Sequence, residues 1–283
     1  MVAPSAVAEI SSEQLERLIP QIYQKLGLHF DEKKIYFLKT RVAKRMAALR
    51  IENARDYVFM ITYADPAGLE MQALANLITT NETYMFREYD QLQAFANHCL
   101  PELLSARLAR GEKMLRVWSA GCSSGEEAYT LAMIVQEVFP ESGSWDCKII
   151  ASDIDENMLR KVAAARYGQR SVKDVPAEYK HKYLAEDGDE YIVRRRTAAL
   201  VQPLHLNLHD RIALRAMKGF DVIFCRNVLI YFDDISRKAV VDSFYNALRP
   251  GGYIFLGHSE SVGRVTTAFT LKRFDNHLVY VKE

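Results

Sequence analysis

From Ser11 to Leu77 apolar residues return every three or four positions, with breaks at Gly27 and at Asp65-Pro66-Ala67-Gly68. This period predicts a set of short amphipathic helices and no strand. Ser12 stands where an N-cap would precede Leu15, Leu18 and Ile19, and Asp31 where one would precede a helix with Ile35, Leu38, Val42, Met46 and Leu49 on one face. After Gly111 the texture changes. Short apolar runs at 115–119, 148–152, 221–225 and 253–257 alternate with helical periods, as in a parallel sheet covered by helices on both faces. Near the C-terminus Phe269 and Leu271, then Phe274, then Leu278 and Tyr280 flank an Asp275-Asn276 turn signal and predict an antiparallel hairpin. The three-residue step from Leu271 to Phe274 leaves its register open. Candidate strands at 183–185, 191–195 and 199–202, around Asp187-Gly188-Asp189, predict a small antiparallel β insertion at about 169–203. The expected division is a helical domain over 1–79 and an α/β domain over 80–283.

A chain of 283 residues with 49% hydrophobic and 26% charged residues has the composition of a globular protein of one or two domains. Its 37 basic and 36 acidic residues leave a formal charge of +1, so no global field draws it to nucleic acid or to a membrane surface. Cys99, Cys122, Cys147 and Cys225 show no C-x-x-C spacing, which fits a reducing compartment. The opening residues lack a basic n-region with a long apolar stretch, and no run approaches the roughly 18 apolar residues of a membrane span. The expectation is a cytoplasmic protein without membrane insertion. The one charge anomaly is local: after Glu32, the stretch to Arg50 holds seven basic residues and no acid. Such a helix suits an acidic partner, although charge runs often only solvate a face.

The most informative segment runs from Val117 through Ala120-Gly121-Cys122-Ser123-Ser124-Gly125 into Glu126-Glu127-Ala128-Tyr129. A strand that enters a helix through small residues lets the backbone approach a ligand, though a tight connection has the same look. Two carboxylates at the helix start would repel a pyrophosphate, and no Lys-Ser/Thr pair follows. The ligand favoured is therefore phosphate-free and cationic, and S-adenosylmethionine, with a sulfonium and an ammonium, answers to that description. Glu126 and Glu127 also suit the helix dipole without any ligand. Asp153, at the end of the next predicted strand, is the candidate for the ribose hydroxyls, and Asp155 is the better cap for the following helix.

His205 and His209 have the spacing of a helical metal pair, but no acid follows the first and the stretch reads as a strand leaving the sheet, so no metal is expected. His258 and Ser259 lack a G-x-S-x-G elbow. Cys122 and Cys225 read as buried small hydrophobes.

Leu248-Arg249-Pro250-Gly251-Gly252 before a strand, the terminal hairpin, and Cys225-Arg226-Asn227-Val228-Leu229-Ile230-Tyr231-Phe232-Asp233 after a strand resemble class I, Rossmann-like S-adenosylmethionine-dependent methyltransferases. Residues 78–88 (ITTNETYMFRE), 121–129, 151–155 (ASDID), 224–233 and Gly257-His258-Ser259-Glu260 narrow the resemblance to CheR-type chemotaxis receptor methyltransferases. The ordered motifs cover nearly the whole chain. The resemblance implies methyl transfer from S-adenosylmethionine to receptor glutamates, giving glutamate methyl esters and S-adenosylhomocysteine in the service of sensory adaptation.

The resemblance also implies that Asn81, Thr83 and Arg87 face the cofactor or the reacting carboxylate, that Gly121 lies in the cofactor turn, and that Glu127 and Asp153 hold the amino-acid and ribose parts. Asn207 and Leu208 would border the adenine, and Arg226, Asn227 and Tyr231 would complete the pocket. Arg87 and Tyr231 are the expected catalytic pair, and the choice of Glu127 over Glu126 stays open. Arg41, Lys44 and Arg45 would dock on the helical cytoplasmic domain of the receptor. Family members that also bind the receptor's C-terminal pentapeptide use a longer Gly-containing turn than Glu186-Asp187-Gly188-Asp189-Glu190, so no tail binding is expected. A monomer is expected, with neither nucleic acid nor metal bound.

Rival readings are a nicotinamide-dependent oxidoreductase, a non-catalytic scaffold and a nucleic-acid methyltransferase. The acidic turn and terminal hairpin count against the first, Arg87 and Tyr231 against the second, and the lack of a D/N-P-P-Y/F motif against the third.

Overall fold

The structure, a computed structural model, describes residues 10–139, 144–261, 266, 268–274 and 277–283. The chain forms two compact units: one runs to Thr80 and includes Tyr231–Asp233, the other comprises Asn81–Ile230 and Asp234–Glu283.

Among the described residues the first unit holds four helices, α1 (Ser12–Leu26), α2 (Glu32–Leu49), α3 (Ala54–Tyr63) and α4 (Leu69–Ile78). Of the apolar positions read from the period, Leu15, Leu18, Leu38, Val42 and Met46 are buried, whereas Ile19 and Ile35 are half-buried and Leu49 is exposed at the end of α2. Helix α1 starts one residue earlier than its sequence suggests: Ser11 is the cap, accepting from the Gln14 N–H while the Gln14 side chain accepts from the Ser11 N–H. A reciprocal box satisfies two helix-end donors where a cap at Ser12 would satisfy one. Asp31 caps α2 as expected, accepting from the Lys34 N–H at 3.0 Å. Tyr231–Asp233 packs within this unit. The Tyr231 carbonyl accepts from the His29 N–H at 2.9 Å, Phe232 bridges to Leu28, and Tyr23 donates its hydroxyl to Asp233 at 2.8 Å.

The second unit begins with α5 (Tyr89–Ala94), a π-helical turn (Phe95–Cys99) and α6 (Leu100–Ala109). Strand β1 (Met114–Ala120), α7 (Glu126–Val138), β2 (Asp146–Asp153) and α8 (Glu156–Ala164) follow. Next come β3 (Arg166–Gly168), α9 (Ala177–Tyr183), β4 (Leu184–Asp187), β5 (Glu190–Val193), α10 (Arg195–Ala198) and β6 (Val201–His205). The chain continues through α11 (Arg211–Leu214), β7 (Phe220–Cys225), a 3-10 turn (Leu229–Tyr231), α12 (Asp234–Ala247), β8 (Leu248–Leu256), β9 (Thr270–Phe274) and β10 (His277–Val281).

Seven strands form one sheet in the order β6-β2-β1-β7-β8-β10-β9. Strands β6, β2, β1, β7 and β8 are parallel, and β10 runs antiparallel between β8 and β9. The terminal hairpin is therefore present, with Phe274 opposite His277; the turn signal at 275–276 lies outside the described residues. The four core strands form where apolar runs predicted them, and β7 is buried at every position.

The insertion differs from expectation in one strand. Residues 199–202 do not pair within it, because Val201–His205 joins the main sheet beside β2. The third strand of the small sheet is Arg166–Gly168, giving the order β3-β5-β4.

Order reversal defines the functional end of such a sheet. From β1 the chain moves outward to β2 and β6 on one side and then returns to β7 and β8 on the other. The order reverses between β1 and β7, and the carboxyl ends of the strands at such a reversal are where open α/β sheets bind ligands.

Candidate active site at the switch point

The turn after β1 is fastened to the end of β2. The Gly121 and Cys122 N–H groups both donate to the Ser152 carbonyl, at 2.8 and 2.9 Å, and the Ser123 N–H donates to Asp153 Oδ2 at 2.7 Å. The other oxygen of Asp153 accepts from the Asp155 N–H at 2.9 Å. Burial pushes the Asp153 carboxyl up from the usual range, and these N–H donors oppose the shift. Asp155 has the capping role, accepting from the Asn157 and Met158 N–H groups at the start of α8 and from the Asn81 side chain at 2.9 Å.

Two glycines make the turn possible. Gly121 has φ 77°, and a Cβ there would lie 2.4 Å from Val228 Cγ2; Gly125 has φ 93°, with Val162 Cγ2 2.9 Å from its would-be Cβ. Any side chain would collide as well as strain the backbone.

The two glutamates at the start of α7 point to different surroundings. Glu126 is buried and accepts from the Ser124 hydroxyl at 2.7 Å and the Ser171 hydroxyl at 2.8 Å. Glu127 turns toward the switch point, where it accepts from the Ser119 hydroxyl of β1 and from Arg226 Nε just after β7, both at 2.6 Å. Arg226 is buried, donates Nη1 to the Arg87 carbonyl at 2.8 Å and lies 3.5 Å from Glu88, which in turn pairs with His258 at 3.1 Å. The guanidinium thus lies between two carboxylates, which offsets the cost of burying its charge. Ser119, Glu88 and His258 are not assigned to the site from sequence, although Glu88 and His258 lie within motifs that carry the family resemblance.

Arg87 is half-buried. It donates Nη1 to the Glu82 carbonyl at 2.9 Å and lies 5.9 Å from the Tyr84 ring. Among the described residues it makes no ion pair, so most of its five N–H donors remain for a ligand. Thr83 is half-buried nearby in sequence. Asn207 and Leu208 follow β6: Asn207 Oδ1 accepts from the His209 N–H at 2.9 Å, and Leu208 is buried. Asn227, at φ 61°, takes the left-handed conformation that Asn tolerates better than most residues.

Asn81, Arg87, Gly121, Glu127, Asp153, Arg226 and Asn227 are thus tied to one another or to the same loops of the second unit. Tyr231 is packed as part of the helical unit, with Lys34 Nζ 5.7 Å from its ring centroid.

Of the three docking candidates, Lys44 is exposed and Arg41 is half-buried, donating to the Leu77 carbonyl at 3.0 Å. Arg45 joins two helices of this unit. It forms a two-bond pair with the buried Glu70, at 2.9 and 2.6 Å, and Tyr57 donates its hydroxyl to the same carboxylate. This guanidinium locks α2 to α4.

Buried thiols complete the surroundings. Cys122 and Cys225 are free, and burial pushes both well above the ordinary thiol range, which suits inert packing.

A glycine turn with carboxylates at its helix start, a buried acid beside it and a sheet with a reversed terminal strand are the features of an S-adenosylmethionine-dependent methyltransferase. Comparison narrows the class. Residues 81–277 match the CheR methyltransferase, SAM binding domain, and residues 13–79 match the CheR methyltransferase, all-alpha domain. The chain belongs to the CheR methyltransferase family. It is 40% identical over 264 residues to chemotaxis protein methyltransferase 2 of Vibrio cholerae, covering 92% of this chain and 89% of that one. It is 32% identical over 255 residues to the chemotaxis protein methyltransferase of Borreliella burgdorferi, covering 89% of each. With that of Escherichia coli it shares 32% over 268 residues, covering 93% of this chain and 89% of the relative. No helix among the described residues is long and apolar enough to cross a membrane.

Proposed function

We propose that this protein methylates glutamate side chains on the cytoplasmic helical domain of chemotaxis receptors, producing glutamate methyl esters and S-adenosylhomocysteine. The observation that carries the reading is the match of one chain, in order, to both the helical and the catalytic models of the family. S-adenosylmethionine supplies an electrophilic methyl on a sulfonium. The residues at the switch point fit such a ligand: Gly121 and Gly125 let the turn close against Val228 and Val162, and Glu127 and Asp153 offer carboxylates to an ammonium and to ribose hydroxyls. Glu127 is preferred to Glu126 because it faces the switch point, whereas Glu126 faces Ser171. Asn207 and Leu208 are the proposed adenine neighbours, and Asn81 and Thr83 line the approach.

A glutamate acceptor has an ordinary pKa of about 4.3 and is already ionised at neutral pH, so no general base is required. The chain's task is alignment, and Arg87 is the group proposed to grip the acceptor carboxylate with paired N–H donors. Tyr231 keeps the catalytic role that the family implies, and its place in the helical unit makes Tyr231→Phe the test. Incubation with radiolabelled S-adenosylmethionine and receptor-containing membranes tests the whole reading. Label released as methanol by mild base supports esters, and base-stable label contradicts them.

Docking is proposed for the basic face of α2 through Arg41 and Lys44. Replacing Arg41 with Gln and Lys44 with Glu should raise KM for receptor on the order of tenfold, and the effect should shrink as salt screens the exposed charges. Methylation indifferent to both changes and to salt contradicts it. Arg45→Ala behaves differently, lowering stability by about 2 to 3 kcal/mol because Glu70 loses its cation, as chemical denaturation will show.

We further propose that this member does not depend on a receptor tail peptide. The β4–β5 hairpin pairs Asp187 with Glu190 across only Gly188 and Asp189, a compact turn. Calorimetry with a receptor C-terminal pentapeptide should show no binding at micromolar concentrations, and a micromolar Kd contradicts this.

A further inference from the structure

The loop after β7 carries Arg226 and Asn227, and its backbone is held from the loop after β8. There the Glu260 N–H donates to the Gly257 carbonyl at 2.9 Å, closing a turn that aims the Glu260 side chain at the neighbouring loop. Glu260 Oε2 accepts from the Asn227 N–H at 2.7 Å and from the Gly257 N–H at 2.8 Å. Gly257 is required for this approach: a Cβ there would lie 2.8 Å from Glu260 Oε2 and 2.9 Å from Asn227 N. Burial pushes the Glu260 carboxyl up, and the N–H groups of Asn227, Gly257, Leu229 and Val228 act against that shift. The same loop rests on the cofactor turn, since Val228 Cγ2 occupies the space next to Gly121.

We propose that Glu260 is a positioning residue for methyl transfer. Its carboxylate gathers the backbone N–H groups at the start of the β7 loop and so fixes Asn227 and Val228 against the turn at Gly121, setting the wall of the crevice where the methyl leaves. Glu260 acts through those two residues and does not touch the reacting atoms. The inference rests on the receptor-methylation reading for its kinetic consequence, but the loop geometry stands apart from the identity of the acceptor.

The test compares full-length wild type, Glu260→Ala and Glu260→Gln in three measurements: methylation kinetics with receptor membranes, S-adenosylhomocysteine affinity by calorimetry, and amide hydrogen exchange over residues 226–229. Alanine should lower kcat on the order of 100-fold, as misplacement of reacting groups by an ångström does. KM for receptor and affinity for the product should stay within about threefold, and exchange at Asn227 should accelerate. Glutamine keeps an oxygen in the Oε2 position and should recover about tenfold of the lost rate. Unchanged exchange or unchanged kcat in the alanine variant overturns the proposal. So does a loss of product affinity equal to the loss in kcat, or a glutamine variant no better than alanine. A wild type that methylates no receptor glutamate defeats the proposed function instead, and the exchange result then decides the role of Glu260 alone.

Discussion

Arg87→Ala should lower kcat for receptor methylation on the order of 100-fold or more while leaving the Kd for S-adenosylhomocysteine within about threefold. The reasoning is geometric. An acceptor carboxylate is ionised without help, so the barrier responds to how well one of its oxygens is held in line with the methyl. A planar guanidinium with one donor on the Glu82 carbonyl has a free fork for that carboxylate, and removing it removes the grip but none of the contacts proposed for adenosine. Arg87→Lys should fall between the two, since a point charge attracts the acceptor without fixing its plane. Single-turnover kinetics with product calorimetry separate the effects; lost affinity with retained kcat would move Arg87 to the cofactor side.

Gly121→Ala should weaken S-adenosylhomocysteine binding on the order of 100-fold, equivalent to about 2.7 kcal/mol. The added Cβ meets Val228 at 2.4 Å in a backbone already at φ 77°, so the turn proposed to carry the amino-acid portion of the cofactor must itself shift. Gly188→Ala is the matched control. Its φ is 62° with nothing within 4 Å of the added Cβ, so it bears the left-handed backbone strain, about 1–2 kcal/mol, without a collision. If calorimetry finds both variants binding the product like wild type, the Gly121 turn is not the cofactor turn.

The parts of the fold that the sequence announced are those whose neighbours are forced by burial. Strands such as Phe220–Cys225, buried at every residue, are apolar but for Asp221, whose buried carboxylate is paired with Arg107. Arg166–Gly168 is three residues long and has no period to read, so the third strand of the small sheet was invisible. Residues 199–202 read as part of the insertion because they follow β5 closely in sequence, although the strand that forms, Val201–His205, pairs with Ile149–Asp153 of the main sheet. Its exposed residues belong to an edge strand, whose pattern differs from that of the interior strands.

The candidate site divides in the same way. Its backbone-encoded parts, Gly121, Gly125 and the strand-end Asp153, stand out in sequence. Its side-chain pairings do not: Arg226 with Glu127 spans 99 residues and Arg45 with Glu70 spans 25. No local rule separates a docking arginine from one that closes an internal pair.

A crystal structure of the protein with S-adenosylhomocysteine tests the central claim most directly. The account predicts the adenosyl group across the carboxyl ends of β1 and β2, with the ribose hydroxyls on Asp153 and the amino-acid portion over residues 121–125 within reach of Glu127. Product bound elsewhere, or that crevice closed by core side chains in the complex, would contradict it.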